Sequence, residues 1–238
     1  MSEDRDAIVA ERRRIRIEYQ RRAKEISPDL YSPWQPAEIF FKSRRKVLAA
    51  GMLNEAGVFP QTGDACLEVG CGAGGWLADF ISWGVREPDL HGIDIDAVRI
   101  ERAREILPAA DLRIGDAVRL PLRDDSFRIV VSSMLFTSIL SHTVRRLIAG
   151  EIVRVLAPGG ALLWYDFAFN NPSNPQVRGI SRSEIRKLFP QLVGKIKSLT
   201  LAPPLARLIV PRSWLLATLL EGVPFLRTHL LAVLIKSF

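Results

Sequence analysis

Three carboxylates and a run of glycines are the residues of this chain whose types and spacing could do chemistry. Glu68 stands two residues before the first glycine of Gly70-Cys71-Gly72-Ala73-Gly74-Gly75, Asp94 lies 24 residues beyond Gly70, and Asp116 a further 22 on. Glycines let a backbone turn sharply and press against a ligand, with the N–H groups of a following helix aimed at it. Gly70, Gly72 and Gly75 with Asp94 also satisfy the dinucleotide-binding fingerprint, so a nicotinamide-dependent oxidoreductase is one reading. Glu68 speaks against it. A carboxylate aimed into the loop repels a pyrophosphate and suits a ligand with a cationic amino-acid end, and no Ser/Tyr/Lys catalytic arrangement accompanies the loop. Asp116, in Leu112-Arg113-Ile114-Gly115-Asp116-Ala117, can accept from an amino group such as adenine N6.

These residues need elements that bring them to one edge. Apolar runs at 64–69, 90–93, 112–114, 127–132 and 161–165 predict strands, and the segments 74–83, 97–107 and 142–156 between them predict helices. That alternation specifies an α/β fold, a Rossmann-like mostly parallel sheet with helices on both faces. Ala157-Pro158-Gly159-Gly160 is expected to be a turn, and Ser181-Arg182-Ser183-Glu184 a capping box opening a short helix. Residues 195–201 and 230–235 read as two further strands, the latter antiparallel beside the fifth, with helical pieces over 204–220. Before the sheet, residues 5–26 carry Ile8, Ile15, Tyr19, Ala23 and Ile26 at helical spacing, and 37–56 predicts a second helix. We therefore expect an N-terminal helical lid over 1–56 and a ligand-binding domain over 57–238, with acceptor-side insertions around 166–190 and 202–224. The aromatic loop Tyr31-Ser32-Pro33-Trp34 is a candidate lid.

Composition bounds the rest. The chain has 238 residues, 48% hydrophobic and 25% charged, enough for one sizeable domain. Two cysteines, Cys66 and Cys71, make no disulfide framework or zinc spacing, so no metal is expected. A polar N-terminus and the lack of a long uncharged apolar run predict a cytoplasmic protein. The net charge of +7 is uneven: residues 25–170 carry −4, whereas residues 171–238 carry +8 with only two acids. The basic end predicts an anionic substrate or an anionic membrane surface as partner, with the protein peripheral to the inner face of the membrane.

The motifs, taken in register, resemble the class I S-adenosylmethionine-dependent methyltransferases, especially the type 11 domain of ubiquinone/menaquinone-type enzymes. The resemblance covers roughly residues 60–166: C-L-E-V-G-C-G-A-G-G at 66–75, G-I-D-I-D at 92–96, G-D-A-V-R-L-P-L at 115–122, D-D-S-F-R-I-V-V-S-S at 124–133 and E-I-V-R-V-L-A-P-G-G at 151–160. It implies S-adenosylmethionine as cofactor. Gly70, Cys71, Gly72 and Gly74 would shape the loop along its methionine part, with Glu68 near the amino group. Asp94 would hold the ribose hydroxyls and Ile95 would pack on adenine. Asp116 and the Ala117 N–H would meet the adenine edge, and the Ser133 carbonyl the amino group. The family often has histidines after the fourth strand, where this chain runs Met134-Leu135-Phe136-Thr137-Ser138-Ile139-Leu140.

Methyl transfer from a sulfonium needs alignment and exclusion of water, and a base only for a hydroxyl or protonated-amine acceptor. Asp166, ending the fifth strand, and His142, opening the helix after the fourth, are the catalytic candidates. His91 and His229 are set aside by position, and Arg178 is a candidate partner for an anionic group. The leading expectation is a methyltransferase for a small-molecule or lipid/glycan-linked acceptor. An RNA methyltransferase and a catalytically silent methyltransferase-fold binding protein are the alternatives. Nucleic acid is disfavoured because basic and aromatic residues are not interleaved as in an RNA-binding module.

Overall fold

Cys66–Val69 is four consecutive buried residues, three of them apolar, with no exposed face, as a strand buried in the middle of a parallel sheet must be. The computed structural model of the chain, which describes residues 2–171 and 174–237, places it there as β1. Side chains at 2, 3, 23 and 28, including the predicted apolar contact of Ala23, lie outside the described set, as do residues 172 and 173 of the Asn170–Gly179 loop.

In chain order the elements are α1 (Ser2–Glu25), α2 (Pro36–Glu55), β1 (Cys66–Val69), α3 (Gly75–Ile81), β2 (Leu90–Asp94), α4 (Ala97–Ile106), β3 (Asp111–Ile114), β4 (Phe127–Ser133), α5 (His142–Val155), β5 (Leu156–Phe167), α6 (Arg182–Leu188), β6 (Leu192–Leu201), α7 (Pro203–Ile209), α8 (Trp214–Glu221) and β7 (Arg227–Lys236). The seven strands form one sheet in the order β3-β2-β1-β4-β5-β7-β6. The first five are parallel; β7 runs antiparallel to both β5 and β6. From β1 the chain steps outward to β2 and β3, then returns to β4 on the other side. That reversal leaves a crevice at the carboxyl ends of β1 and β4, where open α/β sheets bind ligands.

Local chemistry accounts for the boundaries. Asp96 caps α4 by accepting from Val98 N (2.9 Å), Ser141 caps α5 from Val144 N (3.3 Å), and Ser181 caps α6 from Glu184 N (3.1 Å). The Glu184 side chain does not close the predicted capping box; it pairs with Arg145 and Arg178 (both 2.7 Å). The turn predicted at 157–160 is a correction: β5 runs through it. The extra length is taken up as an irregularity in the β4–β5 register between Phe127 and Ile129, with Gly159 at φ 69°. A Cβ on Gly160 would lie 2.8 Å from the carbonyl oxygens of Ala157 and Arg128, which is why that bend needs glycine.

Two apolar layers cover the sheet. On one face α5 buries Val144, Ile148, Ile152 and Val155 beside the cluster Phe136, Trp164 and Phe189. Helix α1 joins this layer through Ile8, Ile15 and Tyr19 of its apolar stripe. On the other face α2 and α3 pack Met52, Leu53, Trp76 and Phe80 against the sheet. The two N-terminal helices thus lie on opposite faces, and both reach the crevice edge.

Candidate functional site

The loop after β1 is held in place by its neighbour. Gly70 N and Cys71 N both donate to the Ile93 carbonyl (2.8 and 3.0 Å), and Gly70 adopts φ 76°, where a side chain is strained. Asp94, buried at the end of β2, accepts from Gly72 N through Oδ2 (2.8 Å) and from Asp96 N through Oδ1 (2.9 Å). Asp116, past β3, accepts from Val118 N (2.9 Å). These strand ends surround a cavity of about 120 Å³ whose walls include Gly70, Asp94, Ile95, Asp116, Ala117 and Ser133. Six of the ten residues expected to hold a cofactor therefore share one cavity. The other four do not line it. Gly72 gives its N–H to Asp94, and Gly74 (φ 77°) precedes α3. The Cys71 thiol packs over Gly92, where an added Cβ would lie 2.9 Å from Sγ. Glu68 is buried beneath the loop.

Helix α1 closes this cavity from above. Arg12 forms an ion pair with Asp116, and the Arg99 guanidinium sits 4.4 Å from the centre of the Tyr19 ring. Glu11 accepts from Leu140 N (2.6 Å) and from Arg14 (2.7 Å), while Arg14 also donates to the Ser138 carbonyl and to Gln176 (3.1 Å). Ile8, Ile15 and Tyr19 fill the opening, which explains a volume well below the ~300–1,000 Å³ usual for ligand pockets. The arginine-rich stretch 12–22, a basic feature an RNA-binding protein would use, is largely taken up inside the chain: Arg21 and Arg22 bind Glu18, as Arg12 and Arg14 bind their partners. The loop Tyr31–Trp34, the candidate lid, does not line this cavity. It follows a single turn of 3-10 helix, Pro28–Tyr31, whose Tyr31 ring lies under Arg207 of α7.

Neither catalytic candidate lines the cavity. Asp166 is buried, but it faces inward, accepting from Thr137 Oγ1 (2.5 Å), Thr137 N (3.1 Å) and Phe167 N (3.0 Å). Burial pushes its carboxyl up to about 6 while the Thr137 contacts pull it down. It fastens the segment after β4 to the end of β5. His142 is exposed at the first position of α5, and Val144 and Ile148 of that helix, not His142, line the cavity. Arg178, a candidate for anion binding, spends its guanidinium on Glu184.

Sequence reasoning passed over a polar group on the opposite face. His229, at the start of β7, stacks on Tyr165 with ring centres 4.9 Å apart and planes 5° from parallel. Burial, reinforced by the positive charge of Arg45, drives its imidazole down to about 3. The Tyr165 hydroxyl meets Thr200 Oγ1 (2.9 Å), and the Thr200 N–H is held by buried Glu221 (3.1 Å), which pairs with Arg44 (2.6 Å). Arg45 of α2 lies 4.1 Å from the centre of the Trp76 ring, with its Nε buried and unpartnered. Burial raises the Glu68 carboxyl to about 8, against the opposing pull of Arg45, and one of its oxygens has no partner. Among the described residues no group of three or more His, Cys, Asp or Glu is placed to hold a metal.

With this geometry in hand, comparison with known proteins is specific. Residues 66–160 match a family described as a methyltransferase domain. A phthiotriol/phenolphthiotriol dimycocerosates methyltransferase of Mycobacterium ulcerans is 33% identical over 129 residues, covering 53% of this chain and 46% of that protein. The chain thus spans about half the length of the curated relatives it matches. Among solved structures, geranyl diphosphate C-methyltransferase from Streptomyces coelicolor superposes with a TM-score of 0.60 at 14% identity, over 80% of this chain and 78% of that one. The cyclase SpnF superposes with a TM-score of 0.58 at 16% identity, over 82% and 81%. The fold alone therefore hosts more than one chemistry, and the strand-end motifs carry the distinction. Residues 66–160, with their glycine loop after β1 and their acids after β2 and β3, match a methyltransferase domain and are similar to the core of the class I S-adenosylmethionine-dependent enzymes.

Proposed function

We propose that this domain binds S-adenosylmethionine in the crevice beneath α1 and transfers its methyl group to a small-molecule or lipid-linked acceptor. The observation that carries the reading is the convergence of Gly70, Asp94, Asp116 and Ser133 on one cavity. The polar groups fit such a ligand. Each oxygen of Asp94 has one backbone donor and keeps a lone pair for a ribose hydroxyl. Asp116 offers an acceptor to an adenine amino group once Arg12 yields it. Under the loop, Glu68 keeps one carboxyl oxygen and Arg45 its Nε without a partner, and such atoms are the kind that a zwitterionic amino-acid end or ordered water satisfies.

When bound, the cofactor supplies an already activated methyl group, so the chain's task is alignment and exclusion of water. The apolar wall of Ile15, Leu135, Ile139, Val144 and Ile148 serves that exclusion. Because neither Asp166 nor His142 lines the cavity, an acceptor that loses its proton to water suits the site better than one needing a dedicated base. A lipid-linked acceptor has the support of the mycobacterial relative, whose name gives phthiotriol and phenolphthiotriol dimycocerosates as what it methylates. Titration calorimetry with S-adenosylhomocysteine should give micromolar-range binding, about −8 kcal/mol, with no competition from NADH. Heat from NADH and none from S-adenosylhomocysteine would end the reading.

A further inference from the structure

Helix α8 buries one side and leaves an apolar side in water. Ala217 and Glu221, one turn apart, are 0% and 4% exposed, whereas Leu215 and Leu219 opposite them are 72% and 63% exposed. Phe225, in the turn that follows, is 83% exposed, and Leu208 on α7 is 58% exposed. Edge contact of Trp214 with Phe40 (5.3 Å between ring centres) ties α8 to α2, and Arg207 over Tyr31 (5.9 Å) ties α7 to the N-terminal turn. Several large apolar side chains exposed on adjoining elements mark a binding face rather than ordinary surface.

The charge around this face selects its occupant. Beyond Glu184 the sequence holds eight basic residues and one acid, Glu221. That acid is buried against Arg44, so it offers nothing to solvent. Arg212 is exposed between α7 and α8. The nearby acid on α2, Glu38, is half-buried and faces Arg207, Lys42 and Arg45. The topology then fixes where the face lies. β6 ends at Leu201 beside Arg227, and β5 ends at Phe167 beside His229, so α7 and α8 leave the sheet at the edge where β1 and β4 also end. We infer that α7, α8 and the Pro224–Leu226 turn form a docking surface for an anionic lipid membrane. Leu215, Leu219 and Phe225 enter the interface while Arg207 and Arg212 meet the headgroups. This orientation turns the crevice edge toward the lipid. The inference stands apart from the methyl-transfer reading, because it rests on exposure and charge outside the cavity.

Co-sedimentation of the full chain with vesicles tests it, using neutral phosphatidylcholine and phosphatidylcholine mixed with phosphatidylglycerol. The expected result is binding to the anionic vesicles, with roughly fivefold loss for each of Arg207→Gln and Arg212→Gln and release at high salt. The triple variant L215S/L219S/F225S should lose more than about tenfold at unchanged Tm, since all three side chains are exposed. Failure to bind anionic vesicles at low salt overturns the inference, as does equal binding to both vesicle types or binding untouched by the triple variant. A dimer in solution that the same variant disperses would also overturn it, by assigning the face to a protein partner. Calorimetry with S-adenosylhomocysteine on the same samples reports the methyltransferase reading separately.

Discussion

Replacing Arg12 with alanine should tighten cofactor binding. Arg12 reaches from α1 to Asp116, the carboxylate assigned to the adenine amino group, so ligand and helix compete for one acceptor. The pair is half in solvent, with side-chain exposures of 48% and 19%. Pairs of that kind contribute about 0.2–1 kcal/mol. Removing Arg12 abolishes the competition without touching the rest of the cavity. The affinity for S-adenosylhomocysteine, read by calorimetry, should therefore rise between about 1.4-fold and fivefold. Salt supplies an independent check. Screening shortens to about 3 Å at 1 M, so the wild type should bind more tightly as salt weakens the ion pair, and Arg12→Ala should be nearly flat. The cost of Asp116→Asn should also be larger in the Arg12→Ala background by the same factor, because the wild-type value has the ion pair subtracted from it. Binding weakened threefold or more in Arg12→Ala would refute this reasoning and make Arg12 a ligand contact. A flat salt response in the wild type would show that the pair does not compete.

Three further outcomes follow from the same geometry. Asp94→Ala should weaken S-adenosylhomocysteine by about 1–3 kcal/mol, measured by calorimetry, because it removes the proposed ribose acceptor and also frees the Gly72 N–H from its anchor. Glu68→Gln should raise Tm above pH 7 and leave it nearly unchanged near pH 4. Burial lifts the Glu68 carboxyl from 4.5 to about 8, so the folded chain holds a proton that the unfolded chain has released, and stability falls as pH rises across that window. Glutamine removes that fall, on the order of 5 kcal/mol across the window; a pH-independent difference in Tm between the two proteins would contradict the assignment. Asp166→Asn should lower stability by roughly 1–3 kcal/mol in denaturant titration, since Thr137 loses its ionised acceptor. If it instead abolished turnover at unchanged stability, Asp166 would be reassigned to the chemistry.

The parts of the site that the sequence makes legible are those with a local signal. Gly70, Asp94 and Asp116 each follow an apolar run directly, and in a parallel sheet the carboxyl ends of neighbouring strands meet at one edge whatever the details of packing. Asp166 carries the same signal but does not line the cavity. Met134 turns into the left-handed region (φ 56°), and the following segment folds back so that Thr137 takes the carboxylate. That reversal has no signature in residue type. His229 carries no local signal, because its place depends on register: antiparallel pairing puts it opposite Phe167 at the end of β5, and its stacking on Tyr165 follows from there. The α1 stripe of Ile8, Ile15 and Tyr19 announces one buried face but not the surface that covers it. Nothing near Arg12 points to a partner 104 residues away.

The two N-terminal helices close the crevice by different means, and that difference decides how it can open. Helix α2 is built into the opposite face through Phe40, Ala49, Met52 and Leu53, all nearly inaccessible, so Arg45 is fixed beside Glu68. Helix α1 is held to the rim through Arg12, Glu11 and Arg14, and through a short apolar stripe of which Ile15 is the most buried member. Its removal would bare Ile139, Val144 and Ile148, which are 2–4% exposed beneath it, so the helix cannot simply leave without a cost in apolar surface. A ligand that inserts an adenine ring against those same residues replaces the apolar contact as it displaces the helix, leaving the polar links as the net opposition. The Arg12–Asp116 pair is the one of those links that shares an atom with the proposed ligand contact. A point substitution at Arg12, and not truncation of α1, is therefore the perturbation that isolates the competition from the packing.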